Sequence, residues 1–226
     1  MPAWDIKPAE VQQPQPAQPT GIVKGSVMIL VAHRDEKDYR QWRDWFHFKL
    51  QKPEKTSWRE SRGGCLVTTR NALAKDALAS NCEYFFWLDD DNIGPDNGLM
   101  TLLSLNLPIA CGLYWAKKGK NERCLAAWMK NPAGKGYISI SGEQRSRHIQ
   151  VDVTGMGFAL FHRSIYERLS YPYFEWPVGG PSEDFWHFEK VWAELQIKPV
   201  IDREVFCTHI GTFSLEPDGS FETLGI

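Results

Sequence analysis

The chain has 226 residues, 42% of them hydrophobic and 24% charged, with 26 Lys+Arg against 28 Asp+Glu, which fits a globular domain with a sizeable core and excludes a disordered or fibrous chain. A formal net charge of −2 gives no reason to expect nucleic acid as a partner, because such a partner demands a surplus of Lys and Arg for the phosphates. The longest apolar run, residues 27–32, has the length of a buried strand and falls far short of a membrane span.

Residues 1–24 stand apart as a Pro/Gln-rich tail. Five of the fourteen prolines fall in the first nineteen residues, so this stretch has too little apolar surface to offset its ordering entropy and is expected to be disordered. No basic region followed by an apolar stretch opens the chain, so no secretory signal is expected. The five cysteines are scattered and include no Cys-x-x-Cys pair. They read as reduced thiols packed as small hydrophobes, as in a cytoplasmic protein.

From Gly25 onward strands and helices alternate. Residues 27–32 are a continuous apolar run, as a strand buried on both faces requires. Tyr39, Trp42, Trp45, Phe46 and Leu50 recur at helical spacing, and residues 52–64 read as a polar loop. An Ala-rich helix through Leu66, Leu73, Ala77 and Leu78 precedes a strand at 84–88. A helix at 97–105 and a strand at 108–114 follow, then a β-rich excursion over 117–150. Beyond it the pattern predicts a strand at 149–153, a turn broken by glycines, an apolar segment at 158–161 and a short helix at 164–169. The last long helix, 183–195, presents Phe185, Phe188, Trp192 and Leu195 on one face, and a strand at 200–206 leads into His209. This alternation predicts an α/β domain with a mostly parallel central sheet flanked by helices. Ligands of such sheets lie beyond the carboxyl ends of the strands, where this chain places His33, Arg34 and Asp35, then Asp89, Asp90 and Asp91, then His209.

The acidic triplet carries the sharpest signal. Asp89, Asp90 and Asp91 directly follow an apolar strand and repel one another, and nothing local in the sequence neutralises them. A divalent cation would, since Asp89 and Asp91 point to the same side of an extended chain. The competing reading is a solvated acidic turn in which Asp91 or Asn92 caps the next helix. No Gly-x-x-x-x-Gly-Lys loop and no Gly-x-Gly-x-x-Gly follows the first strand, which removes the P-loop and dinucleotide readings. The later Gly155 and Gly157 point instead to close approach of the backbone to a ligand. Glu183 and Asp184 sit in the first turn of a helix behind Ser182, where the dipole favours negative charge, with Trp186 as an aromatic neighbour. His209 reads either as a metal ligand or as a satisfied histidine.

An acidic triplet after a central strand, then Gly-x-Gly-Phe, then Glu-Asp opening a helix, then His-x-Gly resembles the GT-A glycosyltransferases, most closely the inverting family-2-like members. The resemblance covers roughly residues 26–211 and implies a GT-A-like catalytic domain over 25–226. It implies a hexosyltransferase-like enzyme that moves a sugar from a UDP- or GDP-linked donor to a glycan, protein or lipid-linked acceptor. On the same basis Asp91, Asp89 and His209 are expected to hold Mn²⁺ or Mg²⁺, and Arg34, Arg70, Asp89 and Asp90 to contact the donor, Arg70 with Asn71 being similar to a pair on the helix before the motif. Gly157 and Trp186 would meet sugar or acceptor, and Asp184, assisted by Glu183, would act as base. The Gln-x-x-Arg-Trp motif of processive synthases is absent, which favours transfer of a single sugar. Two other readings compete. A nucleotidyltransferase making a nucleotide sugar would show a Gly-rich basic loop after the first strand, and a non-catalytic carbohydrate-binding module would need only the aromatic residues.

Overall fold

The computed structural model describes residues 21–33, 39–62, 64–117, 123–142, 145–177, 182–210, 213–215 and 221–223. Its first strand, β1 (Val23–His33), shows why the apolar run is continuous. Val27, Ile29 and Val31 enter the core on one face of the sheet, while Met28, Leu30 and Ala32 enter the core on the other. β1 already includes Val23 and Lys24, which the sequence pattern assigned to the tail; residues 1–20 lie outside the described residues. Helix α1 (Arg40–Phe48) buries Trp42, Trp45 and Phe46 on the Val27 side. The expected polar loop then turns out to contain a strand, β2 (Thr56–Arg62), parallel to β1 from Val27↔Thr56 to His33↔Arg62. β2 ends the sheet, so Arg59 and Glu60 stay in water and the strand lacks the apolar pattern that would reveal it.

Helix α2 (Leu66–Ala79) packs Leu73, Ala74 and Ala77 on the Met28 side. β3 (Cys82–Leu88) lies parallel to β1 and divides its side chains in the same way, Phe85 and Trp87 to one core, Tyr84, Phe86 and Leu88 to the other. The acidic triplet follows, and then a two-residue strand, β4 (Asn92–Ile93), before α3 (Gly98–Ser104). Asn92 therefore sits in a strand and Asn97 precedes the helix, so neither Asp91 nor Asn92 caps it.

β5 (Ile109–Lys117) is followed by β6 (Arg123–Leu125), β7 (Ala127–Lys130) and β8 (Tyr137–Ser139), then β9 (His148–Gln150) and β10 (Val153–Thr154). β10, β7 and β8 form a separate three-stranded sheet. β11 (Phe158–His162), α4 (Ser164–Arg168), α5 (Glu183–Leu195) and β12 (Val200–His209) complete the main body, and β13 (Phe213–Leu215) and β14 (Phe221–Thr223) extend the sheet.

The main sheet runs β14-β13-β12-β5-β11-β3-β1-β2. β12, β5, β3, β1 and β2 share one direction, and β11 enters between β5 and β3 antiparallel to both. Most of the central strands therefore run in parallel, as expected, but the exception shapes the site. Because β11 is reversed, its first residue, Phe158, pairs with Leu88 at the end of β3, which brings the 155–157 turn to the rim that carries the acidic triplet. β4 performs the second placement: it pairs with β12, His209 opposite Asn92, and so draws the end of β12 to the same rim.

Candidate active site

Each carboxylate of the triplet has its own partner, and all three partners come from distant segments. Asp89 accepts a hydrogen bond from Arg70 Nη2 at 3.1 Å, Asp90 lies 2.7 Å from His33 Nδ1, and Asp91 lies 3.4 Å from His209 Nε2. No positive charge adjoins the triplet in the sequence, and the fold brings its partners from elsewhere. Arg70 on α2 and His33 at the end of β1 balance Asp89 and Asp90 once the sheet forms, and His209 at the end of β12 comes to face Asp91.

Arg70 is the hub. Its side chain is 2% exposed, and besides Asp89 it donates from Nη1 to Glu183 Oε1 at 3.0 Å and to Asp184 Oδ1. The two acidic motifs of the chain thus meet on one guanidinium. Burial opposes its charge, but Asp184, Asp89 and Glu183 outweigh burial and raise its pKa further. Burial also pushes Asp89 up, against the pull of Arg70; with the charges of Asp91, Asp184 and Asp90 it reaches about 6.

Within the pair that opens α5, Asp184 is 20% exposed and Glu183 only 5%. Asp184 is therefore the carboxylate that reaches the open side of the rim. Its second oxygen, Oδ2, accepts the Met156 N–H at 3.4 Å. Ser182 occupies the N-cap position, but its hydroxyl makes no capping hydrogen bond. Asp90, 7% exposed and engaged with His33, is buried rather than presented to a donor. The hydrogen bond to Asp90 raises the His33 pKa against the opposing effect of burial.

Gly155 and Gly157 do mark a close approach, but to protein groups. A Cβ on Gly155 would overlap the Tyr114 hydroxyl, and one on Gly157 would collide with the Asn92 amide. Trp186 is half-buried on α5 with Lys190 Nζ 4.9 Å from its ring centre. Arg34 lies outside the described residues.

No family model matches the chain, and no curated protein matches its sequence. Solved structures do match. A197 from STIV aligns over 89% of this chain and 95% of its own, with a TM-score of 0.63 and 14% identity. GalNAc-T7, solved with UDP, GalNAc and Mn²⁺, aligns over 82% of this chain and 44% of its own, with a TM-score of 0.52 and 10% identity. The fold is GT-A-like. At these identities the likeness extends to the architecture alone.

The architecture raises the question of a divalent cation, and the donor set answers it in part. His209 Nδ1 lies 2.8 Å from the Trp115 carbonyl, which can only accept, so Nδ1 carries a proton and Nε2 is the nitrogen facing Asp91. A carboxylate and a correctly turned imidazole are a fit pair of ligands for Mn²⁺. Asp89, expected to be the third, is held by Arg70 instead, and no group of three His, Cys, Asp or Glu arranged for a metal occurs among the described residues. No helix among them is long and apolar enough to cross a membrane.

Three further residues organise the site: Asn71, which the resemblance had paired with Arg70, and His187 and Tyr114, which carry no clear sequence signal. Asn71 ties α2 to the segment after α4: Nδ2 donates to the Phe174 carbonyl at 2.7 Å and to the Val67 carbonyl of its own helix at 2.9 Å, and Oδ1 accepts the N–H groups of Tyr173 and Phe174 at 2.8 and 3.2 Å. His187 on α5, fully buried, lies 2.7 Å from the Tyr173 carbonyl and stacks on Phe174 at 4.3 Å. Burial pushes its pKa down to about 3, so the ring is neutral. Tyr114 on β5 sits beneath the 155–157 turn, and burial, then the charges of Asp89 and Asp184, raises its phenol well above the usual value.

Proposed function

We propose that the protein is a metal-dependent, hexosyltransferase-like glycosyltransferase that moves one sugar from a UDP- or GDP-linked donor to an acceptor hydroxyl with inversion. The observation that carries this reading is the convergence of the Asp91–His209 pair and the Arg70-linked Glu183 and Asp184 at one rim of a GT-A-like sheet. The neighbour solved with UDP, GalNAc and Mn²⁺ supports the choice of donor class and of metal.

In this reading Asp91 and His209 hold Mn²⁺ or Mg²⁺, which when bound neutralises charge on the departing diphosphate. Asp89, 29% exposed and fixed on one side by Arg70, offers its open side to a hydroxyl of the donor. Arg34, whose charge follows β1, would meet the nucleotide. Asp90 shapes the rim through His33 and touches no ligand. On the acceptor side Asp184 takes the proton from the attacking hydroxyl, braced by Arg70 and by the Met156 N–H. Glu183, nearly buried, fixes the hub instead of reaching the acceptor. Trp186 offers an aromatic face beside the helix start to a glycan, protein or lipid-linked acceptor. A cytoplasmic location belongs to the same proposal.

Calorimetric titration with UDP, GDP and the matching triphosphates, with and without Mn²⁺, tests it. One nucleoside diphosphate should bind selectively, only with metal, and Asp91→Asn should abolish that binding while leaving the melting temperature within a few degrees. Preference for a triphosphate would favour nucleotidyl transfer, and metal-independent binding would remove the Asp91–His209 assignment.

A further inference from the structure

Tyr114 has no place in the proposed chemistry, yet its hydroxyl lies where both halves of the site come together. The ring is 5% exposed and stands edge-on to His209 at 5.3 Å. Its oxygen accepts the Gly157 N–H at 3.1 Å. This oxygen requires Gly155, where a Cβ would overlap it, and crowds Gly157, where a Cβ would lie 3.0 Å from it but collide first with the Asn92 amide. The turn held in this way touches each acidic motif through its backbone. The Gly157 carbonyl accepts the Asp89 N–H at 3.1 Å, and the Met156 N–H donates to Asp184 Oδ2 at 3.4 Å. On the far side Gly155 is anchored by its N–H to the Ala126 carbonyl at 3.1 Å.

We propose that Tyr114 is the positioning residue of this site: through its phenol oxygen it fixes the 155–157 turn, and through that turn it sets Asp89 and Asp184 relative to each other. Phenylalanine would fill the same space, so packing alone gives no reason for the hydroxyl. The buried Gly157 N–H does, because left without an acceptor it would incur a desolvation cost and the turn would relax. The functional half of this inference rests on the glycosyltransferase reading; the structural half does not.

The test compares the full-length protein with Tyr114→Phe by amide hydrogen exchange, followed residue by residue by NMR. The Gly157, Met156 and Asp89 amides should all exchange at least about 10-fold faster in the variant, while the Leu160 amide in β11 keeps its protection. Acceleration confined to Gly157, or none, would overturn the proposal. Gly155→Ala, which displaces the hydroxyl from the other side, should give the same pattern, and its effect should shrink in the Tyr114→Phe background. Additive effects would refute the shared contact, and if one variant proved too unstable to map, the same cycle is read from denaturation free energies. Turnover of UDP- and GDP-sugars with Mn²⁺ forms the second arm. Tyr114→Phe should lower kcat by about 10-fold or more with the donor KM within about 2-fold, the signature of displaced reacting groups rather than lost binding. An unchanged kcat would overturn the positioning role. If the wild type turns over none of these donors, the glycosyltransferase reading fails, and the exchange pattern still decides whether Tyr114 sets the two carboxylates.

Discussion

Replacing Arg70 by methionine removes the one guanidinium on which Asp89, Glu183 and Asp184 meet, and keeps most of the side-chain volume. Breaking a buried ion pair by deleting one partner costs about 3–5 kcal/mol, because the remaining charge is left uncompensated. Here the three carboxylates do not contribute equally. Glu183 is 5% exposed and accounts for most of that cost, whereas Asp89 at 29% and Asp184 at 20% are partly screened by water. Each of those adds no more than about 1 kcal/mol. A loss of about 3–5 kcal/mol is a large share of the 5–15 kcal/mol that holds a domain together. For a chain of this size it should lower the melting temperature by roughly 6–20 °C. Urea denaturation followed by circular dichroism gives the free energy, and the double variant Arg70→Met/Glu183→Gln isolates the cause. Neutralising Glu183 should return more than half of the loss. A single-variant cost below about 1 kcal/mol, or no recovery in the double variant, would refute the assignment of Arg70 as the hub of the acidic motifs.

Three further predictions concern single residues. His187 has a folded pKa near 3 against 6.5 unfolded, so its contribution is intact above pH 6.5 and is lost as pH falls towards 3, by up to about 2 kcal/mol at pH 5. Asp89, raised in the folded state, changes stability in the opposite sense over the same range, so the informative quantity is the difference between wild type and His187→Gln; equal pH slopes would exclude a buried neutral His187. Asn71→Ala leaves the N–H groups of Tyr173 and Phe174 without their acceptor and should cost about 1–3 kcal/mol for each buried group, with faster proteolysis within residues 171–177; unchanged cleavage would show that this segment is held by other contacts. Asp184→Asn should lower kcat by about 10²-fold or more with metal-dependent nucleotide binding retained, and product stereochemistry read by NMR should be inverted relative to the donor; a fully active variant or a retained configuration would remove the general-base role.

How far the sequence was legible follows from where each residue sits. β1 and β3 could be read directly because they are buried on both faces, and the unbroken runs at Val27 and Tyr84 have no other use. β2 could not, because an edge strand with Arg59 and Glu60 in water has no apolar period to show. β4 is too short to leave a pattern at all, yet it is what sets His209 beside Asp91. The acidic triplet was the sharpest signal, but its partners were invisible, since Arg70, His33 and His209 are contributed by α2, β1 and β12. Tyr114 looked like core in an apolar strand, and it is core; only its hydroxyl, which accepts the Gly157 N–H and leaves no room for a side chain at Gly155, gives it a further role.

Those partners also change which observation supports a metal. Three adjacent carboxylates with no counter-charge would demand a cation merely to coexist at the end of a strand. With Arg70 on Asp89 and His33 on Asp90, two of the three are already compensated by the protein, so repulsion within the triplet is no longer a reason to invoke one. What remains is narrower and more specific: Asp91 faces an imidazole nitrogen whose orientation is imposed by the Trp115 carbonyl. His187 also sets its Nδ1 on a backbone carbonyl, so the bond alone does not mark a ligand, but it meets what a ligand nitrogen needs by turning Nε2 toward Asp91. The metal reading therefore stands on Asp91, His209 and the carbonyl behind them, and a variant that disturbs the triplet at Asp90 should leave metal binding largely intact while one at His209 should not.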